Sequence, residues 1–415
     1  MPPEHRTFEL LEEIMGLAAP AGKDCGNLLE ECYCRSIELL HENSTPAGIL
    51  ASRCTPAAAC RHYTSIFGRD AAICALGMIA SGESDLIETA RAGLLTLARH
   101  QAANGQIPKY VKPEQGEVDF WYAGCIDATL WWLIAIAFHD RFAPSSPLKK
   151  KLEISVKKAL RWLSCQEHPQ WRLLQQNEAS DWADIMPRSG FVLYTNALWL
   201  WLKKLYGLPG IAETLDYANH LLAPFGPGLP DHRRARLLGH FVRQNTDHPS
   251  EFYLSFVNFS FWGGEIDLFG NILAGLAGFN HSSQAIRMAR TILAQTAKCP
   301  FPLPAVARPI EPQDRLWRRY MERHQQNYPH QYHNGGVWPF IGGFWVLLLA
   351  RLGMTEEAWQ ELERVAGANR AGDWQFNEWF HGRTGVPMGM AGQSWNAALY
   401  ILAFRTLCDQ MRFIE

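Results

Sequence analysis

Apolar residues recur at three- and four-residue spacing along almost the whole chain, and almost no stretch alternates as a strand would. Gly, Pro and polar clusters break this pattern into segments that predict helices over roughly 7–18, 26–42, 70–81, 85–102, 126–140, 147–166, 190–206, 209–223, 267–278, 281–297, 338–352, 355–368 and 391–411. About a dozen helices of similar length, with polar, aromatic loops at alternate joints, fit six helical hairpins closed into a ring. The expectation is therefore an all-α fold, an (α/α)6 barrel, forming a single domain over residues 1–415. In such a ring the inner helices converge at one end, where the loops leading into them enclose a cavity. An ordinary helical bundle or a helical solenoid is the alternative, but no repeat of roughly 34 or 40 residues appears. The stretch 223–252, rich in Pro, Gly, Arg and His, reads as a long loop over one face, and the proline-rich 299–313 as another.

Charge narrows the range of partners. Lys plus Arg number 39 against 41 Asp plus Glu, so no basic excess exists to hold a phosphate backbone, and nucleic acid is excluded as a partner. Aromatic residues, 16 Trp, 12 Tyr and 21 Phe, often stand beside Gly, Asp, Asn and His. Flat apolar faces next to polar groups suit sugar rings, although many of these aromatics are expected to fill the helical core. The ten cysteines form no CxxC pair and read as reduced core thiols of a cytoplasmic protein. No stretch has the form of a signal peptide or is apolar enough to span a bilayer, so no membrane partner is expected. Histidines and carboxylates form no cluster with metal-ligand spacing, and the chain is expected to need no metal or other cofactor.

The chemistry gathers in the loops leading into helices. Asn177 to Trp199, NEASDWADIMPRSGFVLYTNALW, runs from a polar, acid-bearing loop into an apolar helix. Pro187 disfavours helix at Met186, so Asp181 to Arg188 should be irregular, with helix starting near Gly190. Trp182, Ile185 and Met186 around Asp184 suggest a desolvated carboxyl with a raised pKa, as a general acid near neutral pH requires. Alternatively, Asp181 or Asp184 caps the helix. Arg69 and Asp70 directly precede AAICALGMIA and could grip sugar hydroxyls or, for Asp70, cap the helix; Asp127 before ATLWW carries the same two readings. Glu265 in FWGGEID is a third candidate acid. His333, among Tyr332, Asn334 and Trp338 in QYHNGGVWPF, is either a ligand contact or a satisfied core histidine. Glu378, between Asn377 and Trp379 in a Gly- and Pro-rich loop, has no evident structural purpose and is the second candidate catalytic residue.

In chain order, the motifs FGRDAAI, GQIP, DATLWW, WADI with PRSG and NALW, DLFGN, YHNGGVWP, and NEWF with QSW resemble the catalytic domain of glycogen-debranching-type amylo-α-1,6-glucosidases. The chain is also similar to neutral/alkaline invertases, above all in YHNGG.WP and the Gln-Ser-Trp ending, and more distantly to the processing α-glucosidase and mannosylglycerate-hydrolase group. The resemblance covers about residue 60 to the C-terminus. It implies an (α/α)6 barrel and an inverting glycoside hydrolase, with Asp184 as acid and Glu378 as base. Such pairs stand roughly 6.5–9.5 Å apart to admit the attacking water. Arg69, Asp70 and Asp127 would hold a sugar walled by Trp182, His333, Trp338 and Trp395, with Gln393 near the base. Two departures from these families are visible. No N-terminal β-domain or glucanotransferase domain accompanies the motifs, and Asp184 is followed by Ile-Met-Pro-Arg where invertases have two arginines.

The expected activity is therefore inverting hydrolysis of a small carbohydrate, an α-glucoside such as one with an α-1,6 bond. Sucrose is the alternative substrate. A mannosylglycerate-type hydrolase, a sugar 2-epimerase using paired histidines, and a non-catalytic sugar-binding toroid are the remaining readings.

Overall fold

The computed structural model describes residues 27–121, 124–144, 147–223, 240–242, 244, 248–258, 261–279, 282–299 and 301–409. Twelve long helices occupy them: α1 Leu28–Glu42, α2 Gly68–Ser81, α3 Ser84–Arg99, α4 Ile126–Phe142, α5 Glu153–Gln166, α6 Leu193–Tyr206, α7 Ile211–Leu222, α8 Leu268–Ala277, α9 Ser282–Thr296, α10 Pro339–Arg351, α11 Thr355–Trp374 and α12 Ser394–Asp409. The helix expected at 7–18 and most of the loop expected at 223–252 lie outside the described residues. Where 147–166 reads as one helix, the chain forms a single turn, Leu148–Lys151, before α5.

Burial divides the helices into two sets by their position in the chain. Every residue of α2 and α8 is buried, as are Leu193–Lys203 of α6 and Pro339–Leu349 of α10. A helix apolar on all sides must be surrounded by protein. The odd-numbered helices bury only a stripe: Cys32, Ser36, Leu39 and Leu40 in α1, and Val156, Ala159 and Leu163 in α5. That stripe faces inward and leaves the charged side to solvent. The even-numbered helices pack in succession, α2 on α4, α4 on α6, α6 on α8, α8 on α10 and α10 on α12, and α12 returns to α2. The ring is closed. Its inner helices approach closely because a Cβ at Gly77 of α2 would run into the backbone of Ala398 in α12.

Short antiparallel pairings, absent from the all-helical expectation, brace the loops at the end of the barrel where the inner helices begin. Ile66–Phe67 pairs with Tyr110–Lys112, which pairs with Glu117–Asp119; Phe191–Val192 pairs with Phe256–Val257, and Trp379–Phe380 with Pro387–Met388. Two- and three-residue strands are too short to show alternation, which is why the sequence pattern passes over them. Their effect is to hold the loops before α2, α6 and α12 in fixed positions.

Cys32, Cys74 and Cys125 are buried as core thiols, but Cys54, Cys60, Cys165 and Cys408 are exposed, so the core-thiol expectation holds for only part of the set. No helix among the described residues is long and apolar enough to cross a membrane.

Candidate active site

The two candidate catalytic carboxyls precede α6 and α12, inner helices three steps apart around the ring and so on opposite sides of its mouth. Asp181 to Gly190 is non-helical, and α6 begins only at Leu193, as Pro187 demands. Asp181 accepts the Ala183 N–H at 2.9 Å and the Gln176 amide at 2.9 Å, and burial pushes its pKa up to about 6. It shapes the loop. Neither Asp181 nor Asp184 caps α6, whose N-cap is Val192.

The Asp184 side chain keeps 24% of its surface exposed and meets Lys109 Nζ at 3.1 Å through Oδ2. Its Oδ1 lies 3.9 Å from His333 Nδ1. Burial pushes the Asp184 pKa up, but the charges of Lys109 and Arg69 outweigh it and hold the carboxyl below the ordinary aspartate value. This corrects the expectation of a raised Asp184 pKa. Trp182 and Met186 are buried as expected, yet a lysine from a loop 75 positions earlier decides the electrostatics.

Glu378 shows the opposite balance. Its side chain is almost wholly buried, accepting the Tyr63 hydroxyl at 2.6 Å and the Met390 N–H at 2.9 Å. Both bonds favour the ionised form, but burial outweighs them and pushes the pKa up to about 7. The Gly-rich loop can close on this carboxylate because Gly389 has φ +75° and its missing Cβ would overlap Glu378 Oε2. Gln393, 1% exposed, donates to the Met390 carbonyl at 3.4 Å. It supports the loop that holds Glu378.

The helix-mouth residues sort into layers. Neither Asp70 nor Asp127 caps its helix: the N-caps are Phe67 and Cys125, without side-chain bonds. Arg69 Nε stands 3.5 Å from Asp70 Oδ1, and Arg69 Nη1 stands 3.1 Å from Asp127 Oδ2. Asp127 also accepts the Tyr194 hydroxyl at 2.9 Å and is 0% exposed. It therefore lies behind Arg69 and fixes the guanidinium, a correction to its expected place against a sugar. The charge of Asp70 acts on Glu378, and those of Asp184 and Glu378 both act on the hydroxyl of the half-buried Tyr332. Arg69, Asp70, Lys109, Asp184, Tyr332 and Glu378 thus form one electrostatic neighbourhood.

The four aromatic residues expected around the sugar pack on one another and are buried. Trp182 packs edge-on to His333 at 4.8 Å and to Trp338 at 5.6 Å; His333 stacks on Trp338 at 5.4 Å, and Trp338 meets Trp395 edge-on at 5.8 Å. All four are at most 5% exposed. Burial lowers the His333 pKa to about 3, keeping the ring neutral. Glu265 is held by Arg188 Nε at 3.4 Å, and Asp267 by Arg188 Nη1 at 3.0 Å, in a buried ion cluster. Tyr63 and Lys109 are the members that motif reading passes over. They lie within HYTS and at the end of the GQIPK turn, but only the fold shows which carboxylates they meet. Among the described residues, no three His, Cys, Asp or Glu side chains converge as metal ligands.

Comparison with known proteins agrees with this architecture. A family model described as alkaline and neutral invertase matches residues 259–410. A curated glucosylglycerate hydrolase from Mycolicibacterium hassiacum is 39% identical over 70 residues; the match covers 17% of this chain and only 15% of that relative's length. Among solved structures, a mannosylglycerate hydrolase from Thermus thermophilus, in complex with Tris and D-glycerate, superposes with a TM-score of 0.62 at 16% identity, covering 89% of this chain and 99% of that one. A bacterial glucoamylase complexed with acarbose superposes with a TM-score of 0.59 at 14% identity, covering 93% of this chain and 57% of that one. The expected resemblance and fold class are both borne out: the chain is an (α/α)6 barrel similar to those of these glycosidases.

Proposed function

We propose that the chain is an inverting glycoside hydrolase acting on an α-glucoside of small or moderate size, in the manner of an amylo-α-1,6-glucosidase. One observation carries this reading. Two carboxyl groups on opposite sides of the barrel mouth, Asp184 and Glu378, act on the same Tyr332 and are held in contrasting environments. Carboxylates with divergent pKa values across a pocket are the usual sign of acid–base division of labour. Asp184 donates a proton to the glycosidic oxygen as the C1–O bond breaks. Glu378 takes a proton from the water whose oxygen bonds to C1 on the opposite face. Arg69 and Asp70 hold the sugar hydroxyls, and Tyr63 with the Met390 N–H aligns the base.

The pKa directions put the resting proton on Glu378 and the resting charge on Asp184. Catalysis in this scheme runs through the singly protonated pair in its less populated arrangement, with the proton on Asp184. The same total protonation applies to both arrangements, so kcat/KM depends on pH as for an ordinary acid–base pair.

A second reading is favoured by Lys109. Its ammonium, 3.1 Å from the proposed acid, sits where a leaving group would dock and would suit a glucoside with a carboxylate-bearing aglycone. The named glucosylglycerate and mannosylglycerate hydrolases agree with that reading. Offering the purified protein isomaltose, panose, sucrose, glucosylglycerate and mannosylglycerate, and measuring the free sugar released, tests both. Glucose from isomaltose or panose is the expected result. Cleavage of sucrose alone would make the protein an invertase, cleavage of the two glycerate glycosides alone would establish the second reading, and release from none would overturn the hydrolase assignment.

A further inference from the structure

Ile66–Phe67, Tyr110–Lys112 and Glu117–Asp119 form one three-stranded antiparallel sheet, and each strand delivers a side chain to the proposed reaction pair. Tyr63, on the approach to the first strand, donates to Glu378 Oε1 at 2.6 Å. Lys109, directly before the second, meets Asp184 Oδ2 at 3.1 Å. Trp121, just past the third, donates its indole N–H to the Ala179 carbonyl of the acid loop at 3.0 Å. Its ring centroid stands 3.7 Å from the Lys109 ammonium, which is therefore clamped between an indole face and the Asp184 carboxylate.

The three side chains share one framework. Gly68 N–H donates to the Lys109 carbonyl at 2.8 Å, Lys109 N–H to the Asp119 carbonyl at 2.7 Å, and Trp121 N–H to Asp119 Oδ1 at 3.0 Å. A row of rings crosses the strands, Tyr63 to Phe67 at 6.4 Å and Phe67 to Tyr110 at 5.3 Å, with His62 on Tyr110 at 5.7 Å. Cross-strand aromatic pairs are a main source of sheet stability. The Tyr110 hydroxyl donates to Glu117 Oε1 at 2.5 Å, so Tyr110 joins all three strands.

The charged and bonding groups around the two carboxyls follow the same division. Asp184 faces Lys109, Arg69 and neutral His333; Glu378 faces Tyr63, the Met390 N–H, Asp70 and Arg61; Tyr332 faces both. Lys109, Arg69, Tyr63 and Arg61, which favour the ionised carboxylates, all lie on segments that enter or leave the sheet. The Met390 N–H is the exception.

We propose that this sheet is a brace that tunes the acid and the base together, with Tyr110 as its positioning residue, holding Lys109 on Asp184 and Tyr63 on Glu378. For its catalytic consequence the proposal rests on the reading of Asp184 and Glu378 as acid and base; the coupling between the two contacts does not.

Tyr110→Ala should loosen both contacts. Each contact favours an ionised carboxylate, so both titration midpoints should move to higher pH, by about one pH unit each. Tyr110→Phe keeps the ring contacts and should leave both midpoints at their natural values. Carbon-13 NMR of the side-chain carboxyls reads the midpoints without any substrate, the two resonances being identified by their loss in Asp184→Asn and Glu378→Gln. In kcat/KM, Tyr110→Ala should shift the acid and alkaline limbs upward together. Tyr110→Leu, which keeps apolar volume on the strand, is the second variant should Tyr110→Ala fold poorly, and the same paired shift is expected of it. A rise at Asp184 alone would reduce the effect to loosening of the neighbouring Lys109 and overturn the brace. Unmoved midpoints in a folded variant, or a Tyr110→Phe shift as large as that of Tyr110→Ala, would overturn it too. A paired rise in a protein that cleaves no offered glycoside would support the brace and count against the hydrolase reading instead.

Discussion

Replacing Asp184 by Asn or Glu378 by Gln is expected to lower kcat by about 10²- to 10⁴-fold, the contribution of a positioned general acid or base. Neither substitution should reduce thermal stability greatly. Asp184 keeps a quarter of its side chain exposed, and Gln at 378 keeps an acceptor for the Met390 N–H while its NH2 can donate to the Tyr63 hydroxyl oxygen. The pair also sets the pH dependence. Glu378 has a pKa raised to about 7, so kcat/KM should fall as pH rises through that value and the shared proton is lost. On the acid side, activity should be lost only where the depressed Asp184 carboxyl also takes a proton. Lys109→Met removes the largest opposing charge on Asp184, and the acid limb should move to higher pH. A pH–rate series on the natural and Lys109→Met proteins checks both limbs; an unmoved acid limb would show that Asp184 is not the group titrating there.

The second large effect concerns stability. Arg188 is 1% exposed and holds Glu265 and Asp267, with Asp181 also within reach of its charge. Removing one member of a buried ion cluster strands its partners in a poorly solvated site. Arg188→Met should therefore destabilise the fold by about 3–5 kcal/mol, read from denaturant midpoints. Burial already raises the Asp267 carboxyl pKa, and that of Asp181 to about 6, and both should rise further once the guanidinium is gone. The stranded carboxyls then escape by protonation, so the penalty should shrink as pH is lowered from about 8 toward about 5. A pH-independent loss would place the effect in packing instead of charge.

Much of this architecture was legible in the sequence, for a specific reason. Inner helices such as AAICALGMIA are apolar on every side and outer ones such as α1 carry a single stripe, so the alternation of the two is written in local periodicity. The acid loop was legible because Pro187 disfavours helix at Met186, two residues after Asp184. What escaped is set by distance along the chain. Lys109 reverses the expected pKa shift of Asp184, and Tyr63 bonds to Glu378 across 315 positions, contacts that exist only once the ring has closed. Asp127 is similar in sequence to Asp70, an acid in the first turn of an inner helix. Only packing shows that Arg69 stands in front of it. The buried tryptophans were visible as an aromatic excess, but their burial depends on Phe340 and Phe269 from other hairpins.

The central claim is that Asp184 and Glu378 work across a gap wide enough for water. Proton NMR of isomaltose or panose hydrolysis, followed from the first turnovers, reads this directly through the anomeric signals. The account predicts that β-glucose appears first and then mutarotates. Initial release of α-glucose would contradict it, because retention requires a covalent intermediate that a general base activating water does not form.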